Sequence, residues 1–216
     1  MRFTDVVERL SQLPATPPDG PSAPMPVLAE TGASRTWPRT DESTARAAAV
    51  LVLVYPDDAG EARVLLTERV ARGGHHSGEV SFPGGRAEPD DADPAATALR
   101  EANEEVGLDP DAAEVRVLGT WPSLWIPVSD FAVTPVLAVA ARRPTFIAQP
   151  TEVARILEAP VDAFLPGGPL EHHERDIRGW RVRYAAYPVD GLSVWGMTAR
   201  VLGSLGSVLG SPAAAG

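Results

Sequence analysis

Between Phe82 and Leu108 the chain reads FPGGRAEPDDADPAATALREANEEVGL, and the punctuation of that stretch sets the reading of the rest. Asp93 supplies an N-cap, Pro94 suits the first helical position and Gly107 halts the run, so a helix is expected from Pro94 to Val106. Glu101, Glu104 and Glu105 stand at i, i+3 and i+4, which places three carboxylates on one exposed helical face. Like charges at that spacing repel by about 0.2–0.5 kcal/mol per pair, so solvent with counter-ions or a bound divalent cation must neutralise them. An acidic triplet alone describes a solvated surface. Here Phe82-Pro83-Gly84-Gly85 precedes it, a strand-to-loop turn whose glycines let backbone carbonyls approach a site without Cβ atoms in the way. Oxygen donors with no histidine nearby in sequence select hard ions such as Mg²⁺ or Mn²⁺ over zinc.

Upstream, Ala47–Tyr55 is a valine-rich apolar run closed by Pro-Asp-Asp, the pattern of a strand buried on both faces, and Arg63–Thr67 follows as the second arm of a hairpin. Glu79–Phe82 is a short strand. Downstream, Val115–Trp121 and Ala132–Ala140 read as strands with Pro122–Asp130 as a loop between them. Thr151–Leu157 fits either a helix or a strand, and Trp180–Tyr187 is a strand. Val194–Leu209 has helical spacing, and Gly196, Gly203, Gly206 and Gly210 thin one side of it, for docking on the chain's own domain or for a homodimer contact. At the other end Phe3, Val6, Val7 and Leu10 mark a short amphipathic helix. Seven prolines between Pro14 and Pro38 then suit an extended arm laid over the domain. The mixture gives an α/β or α+β fold. Its parts are a helix-and-arm segment over residues 1–44, one folded domain over 45–209 and a flexible tail over 210–216. Removing Met1–Arg39 is expected to leave a folded domain, because proline-rich arms bury little.

The chain has no cysteine, which excludes disulfides, thiolate metal sites and cysteine nucleophiles and suits a reducing cytoplasm. All 19 cationic residues are arginine, so Schiff-base chemistry and a P-loop lysine are excluded as well. A net charge of −10 opposes sequence-independent binding to nucleic acid or anionic membranes, and a phosphorylated ligand needs a metal ion or local arginines. No stretch has the length and apolarity of a membrane helix, and Arg2, Asp5, Glu8 and Arg9 break up the first residues where a signal peptide would be apolar.

The stretch from Gly85 to Leu108 resembles the box of the Nudix hydrolases, G-x5-E-x7-R-E-U-x-E-E-x-G-U with U a bulky apolar residue. It matches at Arg100, Glu101, Glu104, Glu105, Gly107 and Leu108. The spacing from Gly85 to Arg100 is one residue longer, Asp91 stands where the first glutamate would be, and Ala102 is small for a U position. Those departures resemble one branch, the coenzyme A pyrophosphatases, whose upstream signature is L-L-T-x-R-[SA]-x3-R-x3-G-x3-F-P-G-G. Leu65-Leu66-Thr67-Glu68-Arg69 and Gly78 through Gly85 fit it; Val70 replaces the small residue and Gly74 the second arginine, with Arg72 two residues away. Trp195-Gly196-Met197-Thr198-Ala199 is similar to this branch too.

The resemblance implies a Nudix-type α/β/α sandwich with a mixed central sheet, in which Thr151–Ala159 becomes a strand feeding a short helix from Pro160. It implies Mg²⁺- or Mn²⁺-dependent cleavage of a nucleoside diphosphate linked to another moiety. Coenzyme A stands first, with ADP-ribose or another nucleotide derivative, or a module that binds without cutting, as alternatives. Glu101, Glu105 and the Gly85 carbonyl are then metal ligands, and Glu104 is a further ligand or the general base. Arg100 orients a glutamate or contacts substrate, and Glu152 is a distal base or ligand. Arg69, Arg72 and Arg86 are candidates for phosphate contacts, since a guanidinium binds phosphate in bidentate fashion. His75 and His76 share the loop with Arg72, and Trp121 and Trp125 could stack a base.

Overall fold

The computed structural model describes residues 1–18, 26–32, 45–71, 78–126, 129–177 and 179–211. Its elements run α1 (Phe3–Leu10), β1 (Val27–Leu28), β2 (Arg46–Pro56), β3 (Ala62–Arg69), β4 (Val80–Ser81), β5 (Gly84–Arg86) and α2 (Pro94–Val106). Then come β6 (Val115–Thr120), β7 (Leu124–Ile126), β8 (Phe131–Ala140), β9 (Val153–Pro160), a 3-10 turn (Val161–Phe164), β10 (Glu171–Ile177), β11 (Trp180–Val189), β12 (Leu192–Val194) and α3 (Gly196–Gly210).

β2 is the spine. It runs parallel to β8 from Arg46↔Phe131 to Val54↔Val139, and antiparallel to β3 near its end and to β5 near its start. The sheet has the order β4-β3-β2-β8-β6, with β5 on β2, β7 on β8 and β9 on β3. Successive residues of β2 serve opposite cores, as the pleat requires. Val50, Val52 and Val54 pack with Val6 and Leu10 of α1 and Leu202 and Leu205 of α3, whereas Ala49, Leu51, Leu53 and Tyr55 pack with Ala98, Ala102 and Val106 of α2. Helices therefore cover both faces, and the α/β/α sandwich around a mixed sheet is as expected. A second, antiparallel sheet has the order β1-β11-β10, with β12 on β11.

The expected α2 is found between the same two residues, because its signals are local: the Asp93 carboxylate accepts from Ala96 N at 2.8 Å and Gly107 turns left-handed at φ 65°. The ambiguous segment settles as strand β9 and the 3-10 turn. Pro122–Asp130 is not wholly a loop, since Leu124–Ile126 pairs with Phe131–Val133 of β8. Two of the α3 glycines are used within the chain: a Cβ on Gly206 would fall 2.5 Å from the Phe164 carbonyl carbon, and one on Gly210 2.6 Å from Pro166 Cδ. Trp121 is buried and donates Nε1–H to the Pro14 carbonyl at 3.1 Å, so it anchors the arm and cannot stack a ligand.

The packing of α1 argues against the expectation that Met1–Arg39 is dispensable. Val6 and Leu10 lie in the core, Phe3 N donates to Gly60 O and Ala62 N to Met1 O, and the Arg9 guanidinium caps the Leu209 carbonyl at the end of α3. Two fully buried aliphatic side chains contribute about 3–6 kcal/mol together. Deleting Met1–Leu13 is expected to lower the thermal midpoint by on the order of 10 °C. An unchanged midpoint in a melting experiment would contradict this packing.

Candidate active site

β5 lays the glycine turn against β2 in the register Val50↔Gly84 and Ala49↔Gly85. Gly84 has φ 154°, and a Cβ there would sit 2.6 Å from Val50 Cα and nearer still to the Ala49 carbonyl oxygen, so only glycine fits. At Gly85 the obstacle is of another kind. A Cβ would lie 2.5 Å from Cδ of Glu101, which places that carboxylate directly over the Gly85 backbone.

The three glutamates of α2 do not share one exposed face. Glu104 has 58% of its side chain exposed, Glu101 15%, and Glu105 is 2% exposed. Helical spacing gave their direction but not what covers them. The Glu105 carboxylate sits under the glycine turn, accepting from Gly84 N at 3.3 Å, with the Arg69 guanidinium 3.6 Å away. Burial pushes its pKa up to about 7, the charges of Glu101 and Glu152 adding to the rise while Arg69 and the Gly84 N–H oppose it. Glu101 is raised as well, by burial first and against the pull of Arg100.

Arg100 is committed through all three guanidinium nitrogens. Nε and Nη2 hold Asp91 at 3.1 and 3.2 Å, Nη2 also donates to Glu101 and to the Arg86 carbonyl, and Nη1 reaches Glu104 at 3.2 Å. Asp91 is in turn held near pKa 2, by Arg100 first and by the Glu88 N–H and Thr97 hydroxyl. Asp91, where the box would have its first glutamate, is thus tied to the Arg100 guanidinium.

Of the remaining candidates, Arg69 ends β3 at a bulge and reaches Glu105, and Glu152 is close enough for its charge to act on both Glu101 and Glu105. Arg86 is exposed, with its carbonyl engaged by Arg100. Arg72, Gly74, His75 and His76 lie outside the described residues. Trp125 is half-buried and bonds Asp130 at 3.2 Å. One positioning segment had no signal in the sequence. Ile147 N and Gln149 N donate to the Val106 and Glu105 carbonyls, both at 2.8 Å, and Val70 N donates to the Glu152 carbonyl, so Phe146–Glu152 caps α2 and carries Glu152 to the site. Pro144 and Pro150 mark that segment only as loop.

Among the described residues no three carboxylates already converge on a point. The donors still suit a hard cation: two largely buried carboxylates, both with raised pKa values, lie beside a glycine backbone at which a Cβ would collide with one of them.

The helix thus presents these carboxylates beside a glycine turn, on a mixed sheet covered on both faces. Residues 45–180 match the NUDIX domain. The chain is 37% identical over 168 residues to Nudix hydrolase 15, mitochondrial, of Arabidopsis thaliana, covering 75% of this chain and 58% of that protein. It is 39% identical over 170 residues to the uncharacterized Nudix hydrolase NudL of Cronobacter sakazakii, covering 76% of this chain and 83% of that one. The chain belongs to the Nudix hydrolase family. It spans little more than half the length of the plant relative. Among solved structures, RenU, a Nudix hydrolase from M. smegmatis, aligns over 64% of this chain and 80% of its own, with a TM-score of 0.46 and 29% identity. Among the described residues no helix is long and apolar enough to cross a membrane.

Proposed function

We propose that this chain is a Mg²⁺- or Mn²⁺-dependent cytoplasmic hydrolase of nucleoside diphosphates linked to another moiety. Coenzyme A or acyl-coenzyme A is the leading substrate, giving 3′,5′-ADP and (acyl-)4′-phosphopantetheine. The observation that carries the reading is the pair Glu101 and Glu105, both largely buried and raised in pKa, set against the glycine turn. The preference for coenzyme A rests on Leu65-Leu66-Thr67, Arg69 and Gly78 before Phe82-Pro83-Gly84-Gly85, and on Trp195-Gly196-Met197-Thr198-Ala199. Val70 and Gly74 depart from that signature and favour ADP-ribose or another derivative as the alternative.

In the hydrolysis, water adds to one phosphorus, the bond to the bridging oxygen breaks, two phosphomonoesters form, and the two protons of the water are released as the new phosphate ends ionise. A cation held by Glu101, Glu105 and the Gly85 carbonyl would neutralise the charge of the diphosphate oxygens. Arg100 aims Glu101 and Glu104 and has no nitrogen to spare for substrate. Arg69 is placed to leave Glu105 for a phosphate oxygen, and Arg86 to approach one from the exposed end of β5. Glu104 or Glu152 takes the proton, both being solvent-exposed carboxylates within the field of the site. A non-hydrolytic binding module would have no use for the full set Glu101, Glu104 and Glu105.

The test is a panel of coenzyme A, ADP-ribose, NADH and dinucleoside polyphosphates with Mn²⁺, products being read by mass. Coenzyme A should be cut fastest, and activity should vanish after exhaustive chelation and return with Mg²⁺ or Mn²⁺ but poorly with Ca²⁺, whose bonds are longer and looser. Equal rates on coenzyme A and ADP-ribose would overturn the substrate preference; full activity after chelation would overturn the metal assignment.

A further inference from the structure

The hairpin β10–β11 has two chemically different faces. Cross-strand pairing puts Glu174 with Arg183 and Asp176 with Arg181 on one of them, where Glu174 neutralises Arg181 and Arg183 at 3.0 and 3.1 Å. The other face takes His173 with Tyr184 and Arg175 with Val182, and Trp180 continues it two residues before Val182. There the rings gather: His173 stacks on Tyr184 with centroids 5.5 Å apart, Tyr184 meets Trp195 at 4.9 Å, and the Arg175 guanidinium lies 5.6 Å from the Trp195 centroid. Arg175 is exposed and, among the described residues, makes no hydrogen bond or ion pair, unlike the two arginines of the opposite face. Trp195 is only partly covered and Trp180 is 55% exposed.

This face is tied to the site. His173 Nε2 lies 3.5 Å from Ser193 Oγ on β12, and β12 packs against β4, from which the chain runs into the glycine turn. Arg155 of β9 clamps the same region, donating to the Asp190 carbonyl between β11 and β12 and pairing at 3.3 Å with Glu68, the neighbour of Arg69. A partly exposed indole beside an unpaired guanidinium suits a ligand with a flat π-system attached to a negative group. On the proposed hydrolase reading the ligand with that chemistry is the nucleoside half of the substrate. We propose that Trp195, backed by Tyr184 and His173, stacks the nucleobase, and that Arg175 swings from the indole to hold the base or the phosphate on its ribose.

The test is equilibrium binding of AMP to the full chain, followed by tryptophan fluorescence, with ribose 5-phosphate as the base-free control read by competition. Trp195→Leu should weaken AMP binding about tenfold, the loss of one base–aromatic stack, and leave ribose 5-phosphate unchanged. Arg175→Glu, an exposed position that does not threaten the fold, should weaken AMP several-fold and raise KM for diphosphate substrates with kcat unchanged. AMP affinity unaltered by Arg175→Glu, or an equal loss for AMP and ribose 5-phosphate in Trp195→Leu, would overturn the proposal. A chain that cuts no diphosphate but loses AMP binding in both variants would remove the hydrolase reading and leave this site standing.

Discussion

Replacing Glu105 with Gln should cut turnover by on the order of 10²-fold or more, the usual cost of removing one ligand or catalytic group, without harming the fold. The side chain is 2% exposed, so an isosteric amide keeps its packing. Burial is the first cause of its raised pKa, which means that the charged form is penalised in the folded chain relative to the unfolded one. Removing the charge therefore takes away a destabilising contribution at neutral pH and above, and the thermal midpoint of Glu105→Gln should equal or exceed that of the parent. Turnover within threefold of the parent in saturating Mg²⁺ would remove Glu105 from the metal site.

Two adjacent glycines should give opposite phenotypes when each is changed to alanine. In Gly84→Ala the new methyl meets backbone, and φ 154° disfavours any side chain, so the turn must move. Overpacking and backbone strain at one buried position cost about 1–3 kcal/mol each, and the variant should melt several degrees lower or fail to accumulate. In Gly85→Ala the methyl meets only the far end of Glu101, which can rotate away cheaply. That variant should fold with a normal midpoint and lose on the order of 10²-fold in activity, because the carboxylate no longer lies over the turn. Normal activity in Gly85→Ala would show that the position of Glu101 over Gly85 has no part in the reaction.

These contrasts mark what the sequence could and could not convey. Local signals were sufficient where the structure is locally determined: Asp93, Pro94 and Gly107 bound α2, and an unbroken apolar run marks β2 as buried on both sides. β10, with the sequence EHHERDI, has no apolar period, and it is a strand because β11 pairs with it along its whole length. β7 is three residues whose partner begins five residues beyond its end. In the site, helical spacing aligned the glutamates but could not tell the exposed Glu104 from the buried Glu105, since the groups that cover Glu105 come from β3 and the glycine turn. Asp91 was visible only as a departure from a pattern, and its partner, the guanidinium of Arg100, was not.

The meeting of α1 with α3 bears on how the molecule is made. The Arg9 guanidinium and the Leu209 carbonyl are separated by 200 positions along the chain, and Val6 and Leu10 share a core with Leu202, Leu205 and Leu209. During synthesis the first helix therefore emerges long before its partner and must keep an apolar stripe in solvent while the sheet assembles. The strand pairings of the central sheet and its packing against α2, by contrast, involve only residues already made once β9 is complete. Assembly on the ribosome would then be asymmetric, with the α2 layer formed first and the opposite layer closed only when α3 has been made.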